Sequence, residues 1–325
     1  MTKKIILVGC GNIGSRHLQA LMKFQENISI DIVEPSNKSK HNVNLLIKKL
    51  NVKKSPKITW LNSIQNLNST GDVVIVATNS IGRTKLINTL LKQGNKKFII
   101  EKIVCQSRSE YKYLISEFKK YGASGWVNAN RRYFTSYQKI KKLFVASNPL
   151  QLSVYLGNSG LGTSSIHFID LFCWLNNDYD VRLTGKYLFD KVYSNKRGKL
   201  FKEFAGTIVG SNKKNSLLTI STHSNQSTSQ SSIVEIYDGK RHIVINELEE
   251  KLYFLTNFEK SPKFSFKFGH VSELTYKIVQ DIFNTNSCLL PTLQDSYKSH
   301  SELFQIFNNH LQKHLHHKVQ KCPIT

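Results

Sequence analysis

The stretch KKIILVGCGNIGSRH, from Lys3 to His17, constrains the fold more than any other part of this chain. Ile5 to Val8 is a continuous apolar run, suited to a strand covered on both faces. Gly9, Gly11 and Gly14 follow in the spacing G-x-G-x-x-G, and a helix is expected behind them. Gly9 permits a tight bend, Gly11 leaves room for a pyrophosphate against the backbone, and Gly14 lets helix and strand pack closely. With Asn12 and Ile13 they open a helix whose N-terminus is aimed at the phosphates. A second apolar strand, Ile28 to Val33, ends in Glu34, 20 residues after Gly14, where a carboxylate would hold a ribose hydroxyl. The whole pattern predicts a dinucleotide site. NAD is preferred and NADP is the second choice, because Glu34 would repel a 2′-phosphate while Lys38 and Lys40 moderate the preference. The rival reading, a tight strand–helix turn without ligand, leaves the placement of Glu34 unexplained.

At 325 residues, and about 150 residues per domain, the chain suggests two domains. Hydrophobic residues make up 40%, which excludes global disorder. No apolar run approaches the roughly 20 residues of a membrane span, and the first such run belongs to the nucleotide strand rather than to a secretion signal. The five cysteines are scattered and never form a C-x-x-C pair, which argues against a disulfide framework or zinc site and for a reducing, cytoplasmic compartment. Cys10 reads as a small filler of the Gly-rich turn, with a reactive thiol as the alternative.

The net charge of +24 invites a nucleic-acid reading. Its distribution argues otherwise, because the lysines come as pairs and triples without interleaved aromatics. A basic surface attracts anionic ligands in general, and a dinucleotide or a nucleotide-linked sugar would qualify. No nucleic-acid or membrane partner is expected.

Strand and helix alternate over residues 1–123, which predicts a doubly wound parallel sheet of Rossmann type. Helices are expected over 15–23, 38–50, 83–93 and 109–121, and strands over 58–61, 72–78 and 98–101. From residue 124 to 325 the pattern changes to an α+β domain. Trp126 to Asn130 reads as a strand crossing into it, followed by helices over 136–146 and 165–175. Strand-like runs cover 150–156, 181–188, 203–209, 216–221, 233–237, 242–246 and 252–255, which predicts an open, mixed, mostly antiparallel sheet. Asp238-Gly239 reads as a hairpin turn. Two helices, 270–283 and 294–314, close the chain. The polar tract 221–232 reads as a strand–loop–strand edge. The histidines at 310, 314, 316 and 317 read as a solvated helix end rather than a metal site, since no carboxylate or cysteine joins them.

In an open α/β sheet, ligands lie beyond the carboxyl ends of the strands. Thr78, Asn79 and Ser80 follow one central strand, and Glu101-Lys102 follows the next, so both are expected to face the same crevice as the glycines. A lysine there would stabilise a developing alkoxide. On position alone a strand-end surface lysine is an equal reading.

These pieces resemble the glucose–fructose oxidoreductase, inositol dehydrogenase and rhizopine-catabolism family of NAD(P)-dependent sugar oxidoreductases. The matching segments are GCGNIGSRHLQAL (9–21), DVVIVATNS (72–80), EK (101–102), NANRRY (128–133) and IHFIDLFCWL (166–175). The resemblance implies that Glu101 holds the nicotinamide ribose and that Lys102 contacts the reacting hydroxyl. It implies a second domain with an open sheet face that forms a homodimer or homotetramer. It also makes His167 the proton acceptor, with Asp170 three residues on; without the resemblance a buried structural histidine is the more natural reading. Asn130 and Arg132 would line the sugar pocket, with a hinge salt bridge as the equal alternative. Two positions depart from the family pattern: Ile103 stands where a proline usually follows the lysine, and Thr163, also assigned to the substrate site, stands where an aspartate usually precedes the histidine.

The expected function is hydride transfer between nicotinamide and a secondary hydroxyl, or the matching ketone, of a sugar or sugar nucleotide, for example in surface-polysaccharide synthesis. The competing reading is a catalytically silent NAD- or sugar-sensing regulator, which the threonine at 163 favours.

Overall fold

In the computed structural model the chain forms two compact units, and residues 2–50, 56–144, 148–223, 232–255, 265–315 and 317–325 are described. The first unit comprises Met1–Cys105, Ser109–Asn130 and Gly269–Leu293. In chain order its elements begin β1 (Lys3–Val8), α1 (Asn12–Leu21), β2 (Ile28–Val33), α2 (Asn37–Lys49), β3 (Lys57–Leu61), β4 (Val73–Val76) and α3 (Arg83–Lys92), followed by β5 (Lys97–Ile100), α4 (Arg108–Lys120) and β6 (Ser124–Val127). The six strands pair in parallel in the order β3-β2-β1-β4-β5-β6. Ile5, Ile6 and Leu7 of β1 and all of β4 are inaccessible to solvent, as central strands covered on both faces should be. Strand order reverses between β1 and β4. Their carboxyl ends therefore open the crevice where doubly wound sheets take ligands.

One sequence expectation is corrected here. The strand near Trp126 does not leave for the second unit. It is the sixth strand of the first sheet, with Gly125 opposite Phe98 and Val127 opposite Ile100. Gly125 is required there, because a Cβ would sit 2.7 Å from both Leu293 and Phe118.

The second unit comprises Gln106–Arg108, Arg131–Phe268 and Gln294–Thr325. It holds α5 (Thr135–Lys141), β7 (Gln151–Tyr155), α6 (Leu161–Asn176), β8 (Arg182–Leu188), β9 (Tyr193–Asn195) and β10 (Gly198–Glu203). These are followed by β11 (Gly206–Ser211), β12 (Leu217–Thr222), β13 (Ile233–Tyr237), β14 (His242–Asn246) and β15 (Lys251–Phe254). Seven strands form a mixed sheet in the order β15-β14-β13-β7-β12-β11-β8, in which β7 and β12 are parallel and the other neighbours antiparallel. β9 and β10 make a separate two-stranded ribbon. The single strand expected over 203–209 is thus two strands. The first ends at Glu203, and Gly206 opens the second at φ +104°, where a Cβ would lie 2.3 Å from the Tyr187 carbonyl. Parts of two expected features, residues 224–231 of the polar tract and 145–147 at the end of the helix 136–146, lie outside the described residues, as does His316.

Alternation along the strands divides the two faces of this sheet. Leu152, Val154, Leu218, Ile220, Val234, Ile236, Ile243 and Ile245 are buried on one face. The opposite face carries Tyr155, Tyr187, Leu217, Tyr237 and Tyr253, all more than a third exposed, interspersed with Ser153, Thr219 and Glu235. It is amphipathic, with rings and one leucine set among hydroxyls and a carboxylate.

Beyond β15, α7 (Val271–Thr285) belongs to the first unit, where Tyr276 and Phe283 pack their rings against Phe24 at 4.6 and 5.9 Å. Except for its first residue, α8 (Leu293–Leu315) returns to the second, and its Phe307 stacks on Phe204 at 4.2 Å. Among the described residues no helix is long and apolar enough to cross a membrane.

Candidate active site

The Gly-rich turn fits a dinucleotide at each glycine for a different reason. Gly9 bends at φ +86°, tight against Thr78 and Ala77. A Cβ on Gly14 would lie 2.0 Å from the Gly9 carbonyl oxygen, so the helix can approach the strand only without a side chain there. A Cβ on Gly11 would meet no heavy atom within 4 Å. That open space lies at the start of α1, where no side chain caps the helix and its first N–H groups remain available to an anion. Asn12 is exposed and Ile13 half-buried beside it.

Glu34 is fixed at the end of β2. Its carboxylate accepts hydrogen bonds from the backbone N–H of Cys10 at 2.7 Å and of Ser36 at 2.9 Å. The bond to Cys10 ties this carboxylate directly to the glycine turn. Cys10 itself is inert: burial and then the Glu34 charge push its thiol up to about 12. Thr78, at the end of β4, has a buried hydroxyl without a hydrogen-bond partner among the described residues, and the Asn79 side chain accepts from the Ile81 N–H at 3.0 Å. This donor and acceptor set suits NAD, whose pyrophosphate would lie over Gly11 and whose adenosine ribose would meet Glu34.

Glu101 and Lys102 follow β5, both more than nine-tenths buried. The Glu101 Oε1 atom accepts from Asn128 Nδ2 at 2.5 Å and lies 3.0 Å from His17 Nε2. The other nitrogen of His17 lies 2.8 Å from the Thr275 hydroxyl of α7. Burial alone would push the Glu101 carboxyl up. The His17 and Asn128 contacts, with the Lys102 charge, outweigh it and hold it at about 2. Glu101 is therefore ionised near neutral pH. Both partners fall on Oε1. Lys102 joins Ile103 through a cis peptide bond.

Sequence reasoning missed Arg83. It opens α3, is 1% exposed, and donates to the backbone carbonyls of Thr78, Glu101 and Ile103. One guanidinium thus holds the loops after β4 and β5 together. His17 and Asn128 lie inside the quoted motifs but had no role assigned. Their signal was their position: His17 falls three residues after Gly14, on the α1 face turned to the core.

In the second unit, α6 carries Thr163 and His167 four residues apart on a half-buried face. Arg132 and Asp170 are occupied with each other. The guanidinium donates from Nε at 2.9 Å and from a terminal nitrogen at 2.6 Å to the two carboxylate oxygens, and both residues are buried. This bidentate pair ties the turn that carries Arg132 to α6. Neighbouring Arg131 forms a second buried fork with Glu247, at 2.9 and 2.6 Å, and lies 3.9 Å over the Phe168 ring. Asn130 itself is 8% exposed. The Thr163 hydroxyl donates a hydrogen bond to the carboxylate of Glu203 at the end of β10. At the far end of the chain, the His310 and His314 rings meet at 4.8 Å, and among the described residues no group of three or more potential metal ligands occurs.

A parallel six-stranded sheet with a glycine turn at its switch point, an acidic residue ending β2 and an anion-ready helix defines an NAD-binding Rossmann domain. Residues 3–129 match the model of the oxidoreductase family with NAD-binding Rossmann fold. The nucleotide-binding domain is thus similar to that of the glucose–fructose oxidoreductase, inositol dehydrogenase and rhizopine-catabolism family. No curated protein matches it by sequence. Among solved structures it is similar to the WlbA dehydrogenase from Bordetella pertussis in complex with NADH and UDP-GlcNAcA, at 12% identity and a TM-score of 0.71, over 96% of each chain. It is similar to the UDP-N-acetylglucosamine 3-dehydrogenase GnnA from Acidithiobacillus ferrooxidans, at 13% identity and a TM-score of 0.71, over 94% of this chain and 96% of that one. Biliverdin reductase from Synechocystis, bound to biliverdin and NADP+, is similar at 11% identity and a TM-score of 0.69, over 93% and 97%. At such identities the likeness is one of fold, and a fold shared by sugar and tetrapyrrole enzymes does not name a substrate.

Proposed function

We propose that this protein is an NAD-dependent dehydrogenase or reductase acting on a secondary hydroxyl, or the matching ketone, of a sugar nucleotide. The observation that carries the reading is the end of β5. There a lysine, at the ligand-binding edge of the sheet, sits beside a carboxylate held ionised by His17 and Asn128. Bound NAD supplies the hydride acceptor for the carbinol carbon. Lys102 lowers the cost of negative charge developing on the substrate oxygen. His167 takes the hydroxyl proton, as an imidazole can near neutral pH. Glu101 orients the nicotinamide ribose. Asn130 contributes to the substrate pocket, and the Arg132–Asp170 pair steadies α6 beneath His167. The sugar-nucleotide enzymes of the same fold support the substrate class, and the basic surface suits an anionic ligand.

The test is a panel of sugar nucleotides and free sugars, beginning with UDP-N-acetylglucosamine and its uronate, followed at the NADH absorbance band. Turnover on a member of the panel is expected. Sugars that alter NADH affinity without turnover would establish the sensor reading instead.

Cofactor choice is the second expected outcome. Glu34 is held rigidly by two backbone N–H groups, so it cannot swing away from a 2′-phosphate. NADH should bind more tightly than NADPH in a fluorescence titration. The reverse order would mean that Lys38 or Lys40 decides the site.

The amphipathic open face of the seven-stranded sheet supports a homodimer or homotetramer, because four tyrosine rings and a leucine, each more than a third exposed on one face, favour burial. Light scattering at micromolar concentration should return a multiple of the 37.2 kDa chain mass. A monomer would contradict this.

A further inference from the structure

Glu203 ends β10, yet its side chain is built into the start of α6. The helix opens with Gly160 and Gly162, and both glycines make room for the carboxylate. A Cβ at Gly160 would lie 2.0 Å from Glu203 Oε2, and one at Gly162 would lie 3.0 Å from it. Into that space Oε2 accepts the backbone N–H of Gly162 at 2.9 Å and of Thr163 at 3.3 Å. Oε1 accepts Asn195 Nδ2 at 2.7 Å and the Thr163 hydroxyl. Four donors converge on one buried carboxylate, so both of its oxygens act as acceptors.

The consequence falls on Thr163. A hydroxyl has one hydrogen, and here Glu203 takes it. Asn195 Nδ2 also donates to the same hydroxyl oxygen at 2.9 Å, from the ribbon side. With its hydrogen committed, Thr163 Oγ1 can only accept from anything else that approaches. Thr163 borders a cavity of about 180 Å³ lined also by Ser159, Asn195, Lys196, Arg197 and Glu203, several times the roughly 30 Å³ that one water occupies in the liquid. Its lining mixes polar and apolar surface, and His167 follows Thr163 by one turn of the same helix.

We propose that Glu203 is a positioning residue that sets Thr163 as a hydrogen-bond acceptor for a ring hydroxyl of a sugar seated in this cavity. Lys196 and Arg197 give the cavity a cationic rim that suits an anionic ring substituent. The inference rests on the sugar-nucleotide reading above. It adds an acceptor that a threonine alone would not guarantee, because an unconstrained hydroxyl can turn its hydrogen toward the ligand.

A double-mutant cycle tests it. UDP-N-acetylglucosamine is titrated calorimetrically into the NADH-loaded protein, for wild type, Glu203→Gln, Thr163→Val and the double variant. Where the panel identifies another sugar, the cycle is read as its KM. Glutamine keeps one accepting oxygen and presents an NH2 in place of the other, so it cannot serve the helix N–H pair and the Thr163 hydroxyl together, and valine removes the oxygen. Each single change is expected to weaken the sugar on the order of tenfold, the scale of one lost hydrogen bond. The double variant should be no weaker than the worse single, because Glu203 acts through Thr163. NADH affinity should stay at the wild-type value, which also reports a folded nucleotide domain. Additive losses, on the order of a hundredfold in the double variant, would show that Glu203 only caps the helix and would overturn the proposal. So would Thr163→Val binding the sugar like wild type, a result that stands even if Glu203→Gln does not fold. A wild type that neither binds UDP-N-acetylglucosamine nor turns over any sugar of the panel overturns the sugar reading itself, and this inference with it.

Discussion

Replacing Lys102 by alanine is expected to lower turnover on the order of 10²–10³ while NADH binding barely changes, because one charge-stabilising donor is lost from the transition state and none from the cofactor. The site argues for so large an effect. Lys102 is 6% exposed, so its charge acts through a poorly screening medium. The backbone on either side is immobilised by Arg83, which binds the carbonyls of Glu101 and Ile103. A preorganised cation costs no rearrangement when charge develops on the substrate. His167→Ala should cost on the order of 10²–10⁴ and flatten the pH dependence of turnover, the mark of a lost general base. Steady-state kinetics on the sugar identified by the panel measures both. Turnover that survives both substitutions would sink the mechanism.

The second large effect separates two glycines that look alike in the sequence. Gly11→Val should leave a folded protein that no longer binds NADH at concentrations saturating the wild type. Its side chain enters space that no heavy atom of the protein occupies within 4 Å of the Cβ position, the space assigned to the pyrophosphate. Gly14→Val should fail earlier, at folding. Its Cβ would overlap the Gly9 carbonyl oxygen at 2.0 Å, and a backbone atom between β1 and α1 cannot move aside as a flexible side chain can. Thermal melting and NADH fluorescence distinguish the two outcomes. A Gly11→Val protein that binds NADH normally would mean that the dinucleotide lies elsewhere.

Local pattern carried much of the fold. The Gly-rich turn, the buried runs of β1 and β4, the strands Ile233–Tyr237 and His242–Asn246, and the long helices at the end of the chain were all legible, because strand alternation, apolar runs and turn chemistry are properties of neighbouring residues. Where one stretch of pattern concealed two elements, as between Glu203 and Gly206, periodicity gave no break. The backbone turns there because Gly206 fits against the Tyr187 carbonyl of another strand. The fate of the strand Ser124–Val127 was equally hidden, since an apolar strand reads the same whichever sheet accepts it.

By itself the sequence determined the nucleotide domain and where its motifs fall: the glycine turn, the acidic residue after the second strand, and the glutamate–lysine pair after the fifth. These are encoded within short segments whose spacing sets their geometry. Tertiary structure alone decided which side chains serve them. It brought His17 and Asn128 to Glu101 from 84 and 27 residues away, closed Arg132 onto Asp170 across 38, and carried Glu203 to Thr163 across 40. Such partnerships follow from how sheets and helices pack, where the cost of burying a charge selects whichever donor or acceptor the fold delivers. No periodicity along the chain records that selection.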